Sequence, residues 1–390
     1  MTPHSYRRIH ALMERALERM AALMPSPANR PIASPPARVL AVKFGGLGDG
    51  VIVRSQIERL RALYPDVTID VLVDPKSREV MSCGSDARVW FYDPRIDGVG
   101  HAMRLLAGIR RSRYDAALNF EQHSTLAAGF IRTASIPIRV GLAPPRGRLQ
   151  EKFLTHSIAL RPGDSIWSVT AALIRVLYPA LPAHPEALPI PYGPDAEQWA
   201  SEWLAAQPGG RADRIVAMHL GVGPRAQYKR WPLERYVELA DRLRDGTGGL
   251  DILLTGAEAE RPLIDNFRTG YGGPAIDGSA AGSIERCAAL LDRCDLIVSA
   301  DTGMMHLGAA MGTPTVGLFG ASNSRCWGPV GPRATQVYRT NVKCSPCIDS
   351  YLRIIPERCT APSSGICMKE ISVDHVIEAA RRVIVGGWLG

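Results

Sequence analysis

Residues 299–320, SADTGMMHLGAAMGTPTVGLFG, decide the fold of this chain. The apolar run 295–299 predicts a strand, the small residues of 303–311 predict a short helix, and residues 315–319 predict a second strand. A strand, a turn, a helix and a further strand in this order form the repeating unit of a parallel α/β sheet.

The turn of this unit carries polar residues that can help to bind an anion. Asp301 or Thr302 can cap the helix, and the backbone N–H groups of its first turn point out of the sheet. His306 follows one helical turn after Thr302. This arrangement suits a diphosphate leaving group. The alternative is an ordinary capped turn without a ligand.

The alternation of strands and helices covers residues 37–178 and 195–340, which predicts two Rossmann-like domains with parallel sheets. Six prolines within residues 179–194 mark the linker between them, because they exclude a helix interior or a central strand. Ligands of such sheets bind at the carboxyl ends of the strands, so we expect the domains to face each other across a cleft. The predicted strands are 39–44, 68–73, 89–92, 116–120, 138–142, 214–220, 251–255, 295–299 and 315–319.

Both ends of the chain extend beyond these domains. In residues 1–36, apolar side chains at spacings of three and four predict a helix over 5–24, followed by a proline-rich linker. This helix can lie on a membrane, on a partner subunit or on its own protein, and the sequence leaves that choice open. Residues 371–390 are predicted to contain a closing helix.

Composition limits the functional classes. The formal net charge is +8, but no Lys/Arg run exceeds two residues and aromatic residues make up 6%, so no nucleic-acid partner is indicated. Phosphorylated substrates, with possible contact to an anionic inner-membrane surface, fit the charge better. No apolar run reaches the roughly 20 residues of a membrane span and no signal peptide is recognisable, which predicts a cytoplasmic protein.

A glycine-rich turn, residues 43–50 (KFGGLGDG), follows the first predicted strand. Gly46 and Gly48 match the first two glycines of the dinucleotide fingerprint G-x-G-x-x-G, but Val51 occupies the third position, which argues against a nicotinamide cofactor. Asp49 remains as a carboxylate at a strand's carboxyl end. There it can act as a general base or cap a helix.

In the second domain, the first predicted strand leads into a loop that carries Lys229 and Arg230. Pro232 follows at the expected first position of a helix. Lys229 and Arg230 can reach a diphosphate bound at neighbouring strand ends, and a solvated basic loop is the alternative.

Three segments together resemble glycosyltransferase family 9, the heptosyltransferases of lipopolysaccharide assembly. They are residues 47–49 (LGD), 229–232 (KRWP) and 299–307 (SADTGMMHL), in matching order and spacing. The resemblance implies a GT-B fold of two facing Rossmann-like domains. It also implies an inverting transfer without a metal, from a nucleotide-activated sugar (ADP-heptose first) held mainly by the second domain.

The resemblance also implies roles for single residues. Asp49 would be the general base that deprotonates the acceptor hydroxyl. Independently of the resemblance, the loop after the fourth strand offers Glu121 and His123 to the acceptor side. Their roles stay undefined, and ordinary loop residues are the alternative. Lys229 would hold the phosphates, Asp301 would lie near the donor sugar, and the diphosphate would be surrounded by Thr302, Gly303 and His306. Arg230 joins the predicted donor-binding residues through the basic loop that it shares with Lys229.

Four cysteines in a predicted module over residues 341–370 form a C-x2-C-x11-C-x7-C array, namely Cys344, Cys347, Cys359 and Cys367. Thiolates at this spacing can hold one tetrahedral metal ion, and a cytosolic protein favours a metal over disulfides. Zn and Fe accept the same ligands, so the metal stays open. A site closed by four thiolates would be structural, and no cofactor is expected for the chemistry.

Two other functions remain open from the sequence alone. One is a GT-B transferase or epimerase that uses a UDP- or GDP-linked sugar, and the other is a catalytically silent sugar-nucleotide-binding scaffold. The joint presence of Asp49, Lys229 and His306 argues against lost catalysis. The acceptor can be lipopolysaccharide core or another lipid-linked glycan, a protein hydroxyl or a small molecule.

Overall fold

The structure is a computed structural model. It describes residues 31–93, 96–145, 148–208, 213–224, 226–247, 249–339, 341–384 and 388–389, and the alternate positions 15, 17, 19, 21 and 23. The chain divides into two units, Met1–Pro185 and Glu186–Gly390, with the boundary inside the proline-rich segment 179–194.

The first unit is built on six parallel strands: β1 Arg38–Lys43, β2 Thr68–Val73, β3 Val89–Phe91, β4 Ala116–Asn119, β5 Ile138–Ala143 and β6 His156–Ala159. Its helices are α1 Leu47–Leu63, α2 Arg78–Ser82, α3 Val99–Arg111, α4 Thr125–Thr133 and α5 Ile166–Arg175. The strand order is β3-β2-β1-β4-β5-β6. The order reverses between β1 and β4, so their carboxyl ends form the switch point where such sheets bind ligands.

The second unit repeats this topology with β7 Ile215–His219, β8 Asp251–Thr255, β9 Ala275–Asp277, β10 Leu296–Ala300, β11 Thr315–Phe319 and β12 Ala334–Tyr338. Its helices are α6 Pro194–Ala205, α7 Leu233–Thr247, α8 Arg261–Gly270, α9 Ile284–Leu291, α10 Gly303–Ala310, α11 Ser324–Trp327, α12 Ile366–Lys369 and α13 Val373–Val383. The order β12-β11-β10-β7-β8-β9 places the switch point between β7 and β10.

The predicted α/β class with two parallel sheets is confirmed. Three edge strands, β6, β9 and β12, were not predicted from the sequence, and each of them is three to five residues long. None of the three is buried along its whole length, so none shows the continuous apolar run that marks a central strand.

The N-terminal helix predicted over 5–24 lies largely outside the described residues. The described positions of this stretch, Arg15, Leu17, Arg19, Ala21 and Leu23, are helical. Ala21 is fully buried in the core of the first unit, and Leu17 packs over Gly129 of α4. These two residues therefore rest on their own domain. No helix within the described parts of the chain is long and apolar enough to cross a bilayer.

Candidate active site

The switch point of the second unit brings a lysine and an aspartate together. His219 and Ser299 are paired in register near the ends of β7 and β10, so the two following loops leave the same edge of the sheet. Lys229 lies on the first loop and Asp301 on the second. Lys229 Nζ lies 2.6 Å from Asp301 Oδ2, and both side chains are largely buried.

Electrostatics keep this aspartate charged. Burial alone would raise the pKa of Asp301, but the adjacent Lys229 ammonium, a hydrogen bond with Ser322 and the nearby His306 outweigh it and lower the pKa. The pair is therefore a true ion pair. The prediction that Asp301 caps the following helix is wrong, because Lys229 engages its carboxylate.

The start of α10 carries no side-chain cap in the described structure. Thr302 is the N-cap residue, but its Oγ1 lies 2.9 Å from Ser299 Oγ and makes no cap hydrogen bond. Thr302 therefore holds the predicted N-cap position, but its hydroxyl does not cap the helix. Uncapped N–H groups at a helix start, together with the helix dipole, are suited to bind an anion.

Close packing fixes the position of this helix. A Cβ built at Gly308 would lie 2.5 Å from Ile297 Cγ2, so α10 presses directly on β10. Gly303 is the first residue of α10, and His306 is 2% exposed one turn further on. Gly303 and His306 thus lie on one short, tightly held helix, and Asp301 and Thr302 immediately precede it.

Arg230 belongs to the same loop as Lys229 but is bound differently. Its guanidinium is half-buried and hydrogen-bonds to Gln227 Oε1. Trp231 is fully buried and donates to Ile371 O at 2.9 Å, which anchors the loop. Lys229 therefore projects from a loop whose base is fixed in the core.

Glu260 was not among the site residues predicted from the sequence. A Cβ built at Gly221 would lie 1.4 Å from Glu260 Oε1, so this carboxylate packs across the glycine that follows β7 and Leu220. Glu260 lies after β8, the position from which an acidic residue meets ribose hydroxyls in Rossmann sheets. Only the three-dimensional contact with Gly221 distinguishes it from Glu258, which is exposed on the same turn.

The switch point of the first unit carries Asp49. It lies in the first turn of α1, whose N-cap residue is Gly46, so Asp49 is not the cap. A Cβ built at Gly46 would lie 3.8 Å from Asp49 Oδ2, which places the carboxylate beside the glycine turn. Asp49 is partly exposed, as a base that meets a substrate must be.

The loop after β4 places Glu121 and His123 differently. Glu121 Oε1 lies 2.6 Å from Lys43 Nζ and accepts the Phe44 N–H at 2.8 Å. Burial raises the pKa of Glu121, and Lys43 works against that rise. Burial alone would lower the pKa of Lys43, but the carboxylates of Glu121 and Asp49 outweigh it, so its pKa is raised. His123 is half-buried two residues further along.

The four predicted metal-ligating cysteines are free thiols. Burial raises the pKa of Cys347, and Cys344 and Cys359 add to the rise, so these thiols lie near one another. Burial raises the pKa of Cys367 to about 11, with Cys347 next in effect. Across the described residues, no three or more His, Cys, Asp or Glu side chains are arranged to hold a metal ion.

Two Rossmann-like units, each with charged residues at its switch point, define a GT-B type of protein. The chain belongs to glycosyltransferase family 9 (heptosyltransferase), whose sequence profile matches residues 102–353. The protein is therefore a glycosyltransferase, and the resemblance seen in its sequence is confirmed.

Individual relatives agree with this family. The chain is 25% identical over 313 residues to lipopolysaccharide heptosyltransferase 2 of Escherichia coli K12, covering 76% of this chain and 86% of that protein. The family 9 glycosyltransferase structure from Veillonella parvula has a TM-score of 0.71 at 22% identity, covering 91% of this chain and 99% of that one. The structure of E. coli ADP-heptose heptosyltransferase II has a TM-score of 0.66 at 20% identity, covering 89% and 98%.

Proposed function

We propose that this enzyme transfers heptose from ADP-heptose to a hydroxyl of the lipopolysaccharide core, with inversion at the anomeric carbon. One observation carries the proposal. The Lys229–Asp301 ion pair lies beside the uncapped start of α10 at a switch point. An ammonium group and free N–H groups at one strand edge supply what a diphosphate leaving group needs.

The proposed reaction needs no metal and no cofactor. The acceptor oxygen attacks the anomeric carbon while its proton passes to the Asp49 carboxylate. The bond from that carbon to the diphosphate oxygen breaks, and ADP leaves with the electron pair. Lys229, Arg230 and the first N–H groups of α10 stabilise the charge that develops on the diphosphate. Asp301 holds Lys229 in place and lies near the donor sugar.

The proposed sugar and acceptor rest on the relatives. The curated proteins that the chain resembles are named as heptosyltransferases of lipopolysaccharide or lipooligosaccharide. Glu260 would give the donor site a carboxylate suited to ribose hydroxyls, which ADP-, UDP- and GDP-linked sugars carry.

The donor assignment is tested by thermal shift with ADP, UDP, GDP, dTDP and NAD. We expect ADP alone to raise the melting temperature, because a ligand bound only to the folded state stabilises it by mass action. Lys229→Ala should lose that shift. A shift with UDP or GDP alone would favour the alternative transferase or epimerase. A nucleotide-induced shift without any turnover would indicate a silent sugar-nucleotide-binding scaffold.

The base assignment is tested with Asp49→Asn, which keeps the shape of the side chain and removes its basicity. We expect heptose transfer to fall at least about 100-fold while ADP binding stays within a factor of two, because a general base contributes about 10²–10⁴-fold. Asp66→Asn, an exposed change in the same unit, is the matched control. Unchanged turnover in Asp49→Asn would remove the base assignment.

The proposed acceptor is anchored in a membrane, and α3 offers a surface that suits one. Ile96, Val99 and Met103 are 63%, 58% and 64% exposed, and Arg104 is exposed beside them. Exposed apolar side chains next to arginines favour binding to anionic lipid. α3 follows β3, so this surface begins at the edge of the sheet that carries the carboxyl ends of the strands.

Vesicle sedimentation tests this contact. The protein should bind vesicles containing phosphatidylglycerol more tightly than pure phosphatidylcholine vesicles, and Met103→Asp should weaken that binding about tenfold. Ile355→Asp changes an exposed apolar residue of the other unit and should have no effect. Equal binding by both variants and the unchanged protein would rule out this surface.

We also propose a structural Zn or Fe ion at Cys344, Cys347, Cys359 and Cys367. Support comes from the donor chemistry and from the mutual influence of these thiols. The Gly365 N–H donates to Cys359 Sγ at 3.4 Å, as backbone amides do toward metal thiolates. Metal analysis of the purified protein should find about one ion per chain, lost in Cys359→Ser. Absence of metal together with four titratable thiols would contradict the site.

A further inference from the structure

We propose that Glu121 keeps the Lys43 ammonium from pairing with Asp49, and that the Lys43–Glu121 pair thereby holds the base free for proton transfer. This inference rests on the proposed function and gives Glu121 and Lys43 roles as positioning residues. Lys43 was not among the residues predicted to form the site, although it ends the strand that leads to Asp49.

The pair is held from several directions. Lys43 Nζ lies 2.6 Å from Glu121 Oε1 and also donates to the Phe44 carbonyl. Glu121 Oε1 accepts the Phe44 N–H, and the backbone N–H of Glu121 donates to Asn119 Oδ1 at 3.2 Å. The Lys43 side chain is 7% exposed and that of Glu121 is 15% exposed. Neither group can easily turn to water.

The glycine turn brings Asp49 to the same place. Gly45 has a φ of +108°, and a Cβ built there would lie 3.4 Å from Lys43 Nζ. At the next residue, Gly46, a Cβ would lie 3.8 Å from Asp49 Oδ2. Lys43 and Asp49 therefore reach adjacent residues of one turn.

Three carboxylates surround this single ammonium group. Glu121 after β4, Asp49 on α1 and Asp74 after β2 each act on Lys43, in that order of strength. Asp74 already accepts a hydrogen bond from the Ser77 backbone N–H, which lies 3.0 Å from its Oδ1. His123 is the other titratable group in the Glu121 loop. With Glu121 neutral, Asp49 becomes the nearest remaining strong partner for Lys43.

This arrangement explains why a buried glutamate lies beside the proposed base without replacing it. Glu121 Oε1 is committed to Lys43 and to the Phe44 N–H, and the side chain is only 15% exposed, so Glu121 has little access to a substrate. Asp49 keeps its carboxylate free, because the lysine charge is neutralised at Glu121. A free carboxylate is a stronger base than one paired with an ammonium ion.

Two variants test the inference through the pH dependence of heptose transfer. In Glu121→Gln, Lys43 should pair with Asp49, so kcat/KM should fall about tenfold at pH 8 and its acidic limb should move down by about one pH unit. In the double variant Lys43→Met with Glu121→Gln, both charges are gone. The acidic limb of the kcat/KM profile should lie at the same pH as in the unchanged enzyme, and most of the lost activity should be restored.

If Lys43 and Glu121 only stabilised the fold, adding Lys43→Met to Glu121→Gln would reduce the activity further instead of restoring it. That outcome, or an unmoved limb in Glu121→Gln, would overturn the inference. A carbon-13 titration of the Asp49 carboxyl, assigned from the Asp49→Asn spectrum, gives the same readout without substrate. If Asp49→Asn is fully active, the proposed function fails instead, and the titration still decides whether Glu121 controls Asp49.

Discussion

Lys229→Met should destabilise the second unit in a way that reports directly on Asp301. The substitution keeps much of the side-chain volume but removes the ammonium that lies 2.6 Å from Asp301 Oδ2. The Asp301 side chain is only 12% exposed, so water cannot replace the lost partner. The variant must therefore bury an unpaired carboxylate or protonate it.

Protonation sets the size of the effect. An aspartate ordinarily titrates near pH 3.9, so neutralising it at pH 7 costs about 4 kcal/mol, and each lower pH unit reduces that cost by about 1.4 kcal/mol. Because Ser322 hydrogen-bonds to the Asp301 side chain, we expect the loss of stability in the variant to be slightly smaller than this cost. We expect Lys229→Met to lose about 3–4 kcal/mol at pH 7 and about 1–2 kcal/mol at pH 5.

The unchanged protein should not show this pH dependence. Its lowered Asp301 pKa means that the stabilisation is complete above the unfolded-state pKa and is lost only as pH falls through the folded-state value. Between pH 5 and 7 both states carry the charge, so this group adds no slope. The difference between the two proteins must therefore come from the variant.

Urea unfolding at pH 5, 6 and 7 measures the difference, followed by tryptophan fluorescence, since five of the seven tryptophans lie in the second unit. The double variant Lys229→Met with Asp301→Asn should regain most of the stability but not ADP binding. A loss below about 1 kcal/mol that is equal at pH 5 and 7 would refute the reasoning.

Two further predictions concern packing and a buried hydroxyl. Gly308→Val should cost about 3 kcal/mol in urea unfolding, because even a Cβ would lie 2.5 Å from Ile297 Cγ2; a cost near zero would contradict the close packing of α10. Burial raises the pKa of Tyr114, and its hydroxyl donates to Asp70. The unfolded chain therefore loses this proton first above pH 10, and stability should fall there, measured by thermal melts. The stability of Tyr114→Phe should fall less steeply above pH 10, although the variant should be about 1–2 kcal/mol less stable than the unchanged protein at pH 7. Parallel curves of stability against pH for the two proteins would contradict this prediction.

The central strands could be predicted because their signal is local. β2, β8 and β11 coincide with the predicted ranges, since strands buried on both faces need uninterrupted apolar runs. β6 alternates between half-buried and exposed residues and was missed. Edge strands form because a neighbouring strand offers hydrogen bonds, and that neighbour is not visible in a short window of sequence.

The site shows the same limit at the level of side chains. Spacing placed Asp301 at a helix start, but its partner Lys229 lies 72 residues away along the chain. Lys43 and Glu121 are 78 residues apart, so neither sequence context reveals their pairing. Sequence position identified which residues stand at strand ends, whereas the choice of ionic partner depended on which strands are neighbours in the sheet.

The two units use one topology to make two different ion pairs. In each, a lysine at or after the first strand meets an acid just after the strand that lies across the switch point, as Lys43 meets Glu121 and Lys229 meets Asp301. The difference lies in exposure, because Lys43 is 7% exposed and Lys229 is 18% exposed beside an uncapped helix start. We expect the less exposed Lys43 to set the charge around Asp49, and the more exposed Lys229 to contact phosphate in the proposed donor site. Under the proposed function, the same strand order would position a base in one unit and the groups that bind the leaving diphosphate in the other.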